Sequence, residues 1–204
     1  MEIKLSDIQI ISNIVASVIS VIALVFCIIQ IHLQRKSMKK DYERSRREKG
    51  IEILQHWFSN LDKNNSTARK LAEGLSEEIL LSIWHCESCI IPATKINRKY
   101  LDVLFPGKEI KKSGIRIDAH QATEIRWQLI SYLNVLENVV AAWKYNIVDR
   151  DLIEAEFKYM FDHKGGALKK FRELLVDAYP CIDLFELEMK NKYTAKISEN
   201  YEKL

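Results

Sequence analysis

The chain turns on IQIISNIVASVISVIALVFCIIQIHLQ, residues 8–34. No Asp, Glu, Lys or Arg interrupts these 27 residues, and the core IVASVISVIALVFCII covers residues 14–29. An uncharged apolar run longer than about 18 residues has the length and composition of a membrane-spanning helix. A secretory signal would need a positive leader, a shorter apolar core and a small-residue cleavage site. Here MEIKLSD precedes the run and RKSMKK follows it, so an uncleaved span is expected.

The flanks set an orientation. Arg35, Lys36, Lys39, Lys40, Arg44, Arg46, Arg47 and Lys49 follow the run, against Asp41, Glu43 and Glu48. Only Lys4 and the amino terminus precede it. The positive-inside rule then puts residues 1–7 outside and everything after residue 34 in the cytoplasm. The basic residues from Arg35 to Arg47 are expected to touch anionic lipid headgroups, each worth about 1 kcal/mol near the surface. Net charge is −1 over residues 1–34, +5 over 35–49 and −1 over the rest, so no whole-domain basic footprint for duplex nucleic acid exists.

The run itself is uneven. Ser12, Ala16 and Ser20 repeat every fourth residue, with Ala23 nearly in line. Small residues on one stripe let helix backbones approach, so the stripe is a candidate self-association face. Small residues are also common in spans generally. Gln9, Asn13 and Gln30 place polar groups near the two ends.

About 155 residues remain after the basic flank, enough for one ordinary domain. Six Gly and three Pro in 204 residues favour long helices over many short strands. Residues 35–62 read as a continuing helix in which Gly50 is the weak point, with Asn64, Asn65 and Ser66 breaking it. Residues 66–91 read as one or two helices, with Ser76 a cap. Residues 118–147 carry one apolar face from Ala122 to Ile147 and predict the central helix, capped by Asp118. Asn134 and Glu137, one turn apart beside that face, are expected to meet a neighbouring helix as a satisfied polar pair. Asp149 is expected to cap a helix with Leu152, Ile153, Phe157, Met160 and Phe161 inward, ended by Gly165–Gly166. Leu168 to Leu175 predict another helix, stopped at Pro180, and residues 181–200 a last one.

Two segments invite a site. His85, Cys86 and Cys89 form an HCxxC cluster. A structural zinc centre needs four ligands, usually two such knuckles. Only the isolated Cys181, His120 and His163 could complete one, and the order is wrong for c-type haem. Half-buried reduced thiols are the better reading. Residues 92–117 hold two of the three prolines and two glycines, and FPGKEIKKSGIRID, residues 105–118, reads as an exposed loop. Seven Lys/Arg lie between Lys95 and Arg116, against two acids. That concentration reads as a solvated loop or as a nucleic-acid or phospholipid contact. No phosphate-binding glycine loop, nucleophile elbow, HExxH or calcium loop is present, so no enzyme activity, cofactor, metal or small-molecule substrate is expected.

YLNVLE (residues 132–137), KYNIVDRDLI (residues 144–153) and the Phe157/Phe161 pair resemble a bacterial family of unknown function. The likeness covers roughly residues 8–180. That family has one N-terminal span, a charged juxtamembrane helix and a small helical domain, and no catalytic residue carries over from it. Proteins of this kind occur in bacterial anti-phage systems, including retrons, beside a reverse transcriptase and its non-coding RNA. The resemblance implies an effector that arrests infected cells by perturbing the inner membrane, with that complex or another cytoplasmic defence protein as its partner. A membrane-anchored scaffold without toxicity is the alternative. The expected architecture is all-α, a short outer segment at 1–7, a transmembrane helix at 8–34, a basic juxtamembrane helix at 35–62 and a cytoplasmic helical bundle at 63–204.

Overall fold

The computed structural model describes the backbone of residues 5–161 and 166–201, and side chains at residue 13 and over residues 17–161 and 166–192. The first residues, His163 and Gly165 lie outside the described residues. Within them the protein is all-α apart from one small ribbon. The order is α1 (Leu5–Asn60), α2 (Lys63–Glu73), α3 (Glu77–Trp84), β1 (Cys89–Ile91), α4 (Lys95–Leu104), β2 (Ile115–Ile117), α5 (Ala119–Lys144), α6 (Arg150–Phe157), α7 (Lys169–Glu173) and α8 (Pro180–Tyr201).

The chain divides into two compact units, Met1–Ser45 and Arg46–Leu204. In the first, α1 is long and apolar enough to cross a membrane. An 18-residue window has mean hydropathy 2.1 and buries none of its residues. The large apolar side chains between Val18 and Leu33 are all 49–63% exposed. A helix apolar on every side is of the kind that a membrane or a protein core buries.

The second unit begins inside α1. The expected boundary at residue 62 is therefore late: residues 46–60 belong to the bundle, because Trp57 is buried and Ile53 and Leu54 pack on the core. The helix ends at Asn60, earlier than the Asn64–Ser66 break expected from the sequence. Asp62 caps α2, accepting from Asn65 N–H at 2.8 Å, while the Asn65 side chain bonds back to Asp62 N–H. Asn65 is itself buried and donates to the Gln128 carbonyl of α5. A residue type that reads as a breaker thus works as a reciprocal cap.

Helix α5 is the centre. It packs against α2, α3, α6, α8 and β2, and its buried face runs from Ala122 to Trp143. Asp118 caps it in a capping box with Gln121. The face stops before Ile147, which is 51% exposed. Asn146 adopts a left-handed φ of 55°, with Ile147 N–H bonding Ala142 O and Asn146 N–H bonding Trp143 O. That is a Schellman stop, and Asn is a residue that tolerates it. Beyond the stop the 3.6-residue period lapses, and Val148 is buried instead.

The 89–117 segment is not simply a loop. It contains α4, and β1 pairs antiparallel with β2 through Cys89–Ile117, Ile90–Arg116 and Ile91–Ile115. Phe105, Ile110, Ile115 and Ile117 are buried. Gly114, at φ 129°, lets the strands approach, since a Cβ there would lie 2.4 Å from the Ile91 carbonyl oxygen. Strands three residues long carry too little alternation to stand out in sequence. Helix α6 ends at Phe157 and passes into one 3-10 turn, short of the expected glycines. Pro180 begins α8 rather than stopping α7, as its missing N–H permits at a first helical position.

Candidate functional site

The feature with the most built-in geometry is a clasp around residues 46–60 of α1. Gly50 is buried, and a Cβ on it would lie 2.8 Å from Leu152 Cδ2 and 3.8 Å from Val148 Cβ. The apparent weak point of the helix is therefore a close-approach position, where α1 and the start of α6 touch without a side chain between them. Polar groups seal this contact. Arg46 donates to the Val148 carbonyl from Nε at 3.0 Å and Nη2 at 2.5 Å. The Asp149 N–H in turn donates to the Arg46 carbonyl at 3.3 Å.

Asp149 has two tasks. Oδ1 accepts from Asp151 N–H and caps α6, while Oδ2 accepts from Arg47 Nε at 2.9 Å. The Arg47 guanidinium holds this carboxyl below the usual carboxylate range. Two turns on, Trp57 inserts edge-on between Tyr132, centroids 5.4 Å apart, and Phe157, at 5.0 Å. Such edge-to-face pairs add about 0.5–1.5 kcal/mol each beyond burial. Tyr132 donates to Met160 Sδ at 3.4 Å, and burial pushes its hydroxyl pKa up.

A second polar device fastens α8. Both carboxylate oxygens of Glu137 accept backbone N–H bonds at the first turn of α8, from Cys181 at 2.9 Å and Ile182 at 3.0 Å. Asn134 Oδ1 accepts from the Tyr179 hydroxyl at 3.3 Å. Asn134 and Glu137 thus meet a neighbouring helix as expected, with Glu137 as a cap supplied from across the bundle. A carboxylate there also complements the positive end of the helix dipole. At the other face, buried Arg172 ties the Ala167 carbonyl to Asp183 and Glu186. Burial works against Glu186 ionising, but bonds from Lys190 and Arg172 win and hold it below the usual range.

The cysteine cluster lies at the end of α3. Cys86 occupies the left-handed position of a Schellman stop, φ 58°, with Glu87 N–H bonding Ser82 O and Cys86 N–H bonding Ile83 O. Arg126 Nη1 reaches its Sγ at 3.5 Å. Bonds from Thr123 and Arg126 lower the Cys86 thiol pKa, and burial raises that of Cys89. All four cysteines are free thiols, and Cys86 and Cys89 are half-buried. His85 is exposed at the helix end, His120 lies in the first turn of α5 and Cys181 is buried against Glu137. Among the described residues no three His, Cys, Asp or Glu side chains are grouped to hold a metal ion.

One groove of about 520 Å³ opens between α4 and α5, lined by Leu104, Phe105, Ile125, Trp127, His120 and Glu124 among others. His120 and Glu124 are 3.7 Å apart, but both are largely exposed. Trp127 is 69% exposed at this groove.

The other residues marked by sequence are spread along α1. Arg35, Lys36, Lys39, Lys40 and Arg44 are all exposed. Arg46 and Arg47 differ, for the structure engages them in the clasp. Ser20 is exposed, whereas the side chains of Ser12 and Ala16 lie outside the described residues. The clasp had one sequence signal, a lone Gly inside an otherwise strong helix pattern. The resemblance motifs fall on framework positions: Tyr132, Asn134, Glu137, Val148, Asp149 and Phe157 all serve the clasp or the α8 cap. No family model, curated protein or solved structure matches the chain.

Proposed function

We propose that this chain is the membrane-embedded effector of a bacterial antiviral defence system such as a retron, arresting infected cells by perturbing the inner membrane. The supporting observation is the division of labour within α1. One part is exposed and apolar all round, and another is gripped by the bundle through Gly50, Arg46, Arg47 and Trp57. The span is the working part, oriented with its amino terminus outside and the bundle in the cytoplasm. The bundle senses or restrains it. A cytoplasmic partner, a reverse transcriptase–RNA complex or another defence protein, holds the bundle in the resting cell. Its release lets spans associate through the Ser12/Ala16/Ser20 stripe. No enzymatic step is assigned, since the one His–Glu pair in the groove is exposed and ordinary helix spacing explains it.

The test is induced expression of the chain without a partner, with a membrane-potential dye and growth as readouts. The reading expects depolarisation and arrest, blunted by replacing Ser12, Ala16 and Ser20 with Leu. Normal potential and growth would contradict it. That outcome would favour a scaffold that anchors a partner without toxicity, a reading that the exposed Trp127 at the α4–α5 groove also supports.

A further inference from the structure

We propose that the outer side of the 89–117 segment is a lipid-contact surface that lays the bundle against anionic headgroups. The inference rests on the reading that α1 anchors the chain in a membrane.

The segment is two-sided. Its inner residues Ile91, Leu101, Phe105, Ile110, Ile115 and Ile117 are buried in the bundle. Every one of its Lys and Arg side chains is exposed. Arg98 bonds the Ile110 carbonyl and Lys108 bonds Gln121. Lys95, Lys99, Lys111, Lys112 and Arg116 form no ion pair among the described residues, whereas Lys49, Arg150 and Lys192 elsewhere in the bundle each meet a carboxylate. Two large aliphatic side chains stand out among these cations, Ile90 at 59% and Ile96 at 68% exposed. Ile90 and Arg116 are directly opposed across the ribbon, so they share a face.

Unpaired cations around exposed aliphatics are the chemistry of an interfacial contact. The cations meet anionic headgroups, and the aliphatic tips enter the boundary of the acyl chains. Single-stranded nucleic acid would want aromatic platforms for its bases. The segment's own aromatics, Tyr100 and Phe105, are half-buried and buried, and the exposed Trp127 that borders the groove stands on α5 outside it, so lipid is the better match for the segment. An anchored bundle also meets its own membrane at high effective concentration, which suits a contact too weak to act alone.

The test uses the full chain in lipid nanodiscs, of phosphatidylcholine alone or of an equimolar phosphatidylcholine–phosphatidylglycerol mixture. Amide hydrogen exchange is read over residues 89–117, with α5 as internal reference. The proposal expects exchange in this segment to slow in the anionic discs only, and the slowing to vanish at high salt. It also expects the slowing to be lost in a Lys95→Glu, Lys99→Glu, Arg116→Glu variant whose α5 exchange is unchanged. If that variant disturbs α5, Ile90→Ser with Ile96→Ser replaces it, and the slowing should weaken. Equal exchange in both discs, with the chain embedded, overturns the lipid contact and leaves the span standing. Slowing by an added single-stranded RNA oligonucleotide, with none from anionic lipid, assigns the surface to nucleic acid and overturns the proposal. A chain that co-elutes with neither disc overturns the span and the lipid contact together.

Discussion

Two stretches of the same helix, residues 17–34 and residues 46–60, make opposite use of apolar side chains. In the first, Val18, Ile22, Val25 and Ile29 are 49–53% exposed and Ile19, Leu24 and Phe26 61–63%, so no face is buried. In the second, Trp57 is 5% exposed while Ile51 and Phe58 stay out, so one face is chosen. A side chain that faces protein has a defined neighbour and loses stability when cut back. A side chain that faces lipid needs only to be apolar. The stretches should therefore respond differently to the same kinds of substitution.

The largest expected effect is in the clasp. Trp57→Ala removes the ring between Tyr132 and Phe157 and should cost the bundle about 3–5 kcal/mol. Thermal unfolding of the full chain in detergent would show it, with membrane partition unchanged. The converse change, Leu24→Arg, places a charge at mid-run. It should weaken insertion by about 2.5–3.5 kcal/mol on insertion-based scales and leave bundle melting alone. Fractionation after expression measures the first effect and calorimetry the second. If Trp57→Ala releases the chain from membranes, or Leu24→Arg melts the bundle, the division within α1 is wrong.

Smaller effects sharpen the bundle side. Glu137→Ala leaves the Cys181 and Ile182 N–H groups without their shared acceptor and should cost about 1–3 kcal/mol. Hydrogen exchange should rise at the first turn of α8 before it rises elsewhere. Arg47→Ala should cost at most about 1 kcal/mol, because Arg47 is mostly exposed and water screens the pair.

The carboxylates also give a pH dependence. Asp149 and Glu186 both sit below the usual carboxylate range in the folded protein. Their stabilisation is complete above the ordinary unfolded values, about 3.9 and 4.3, and is lost as pH falls through the lower folded values. Melting temperature should therefore fall on acidification below about pH 5. The Arg47→Ala variant should show a shallower fall.

What was legible in sequence was what local chemistry decides. Asp118 and Asp149 cap the helices that follow them, and the face from Ala122 to Trp143 follows the helical period. The 27 uncharged residues declared themselves by composition. What was hidden depends on partners far along the chain. The role of Gly50 is set by Leu152, about a hundred residues later. Glu137 was recognisable as a paired polar residue, but the two N–H groups it caps lie in α8. Arg46 and Arg47 belong by composition to a basic flank, and only the Val148 carbonyl and Asp149 draw them into the clasp. The ribbon and α4 were lost among Pro, Gly and Lys, because three-residue strands gain their meaning from pairing.

The native cysteines allow the most direct test of the central claim, that α1 divides between lipid and bundle. Cys27 lies in the apolar run and is exposed in the protein alone, while Cys86 is half-exposed with a lowered thiol pKa. A membrane-impermeant maleimide applied to membrane vesicles of either orientation should label Cys86 in one of them and spare Cys27 in both until detergent denaturation uncovers it. Labelling of Cys27 in intact vesicles as fast as Cys86 would place the run in water and contradict the account.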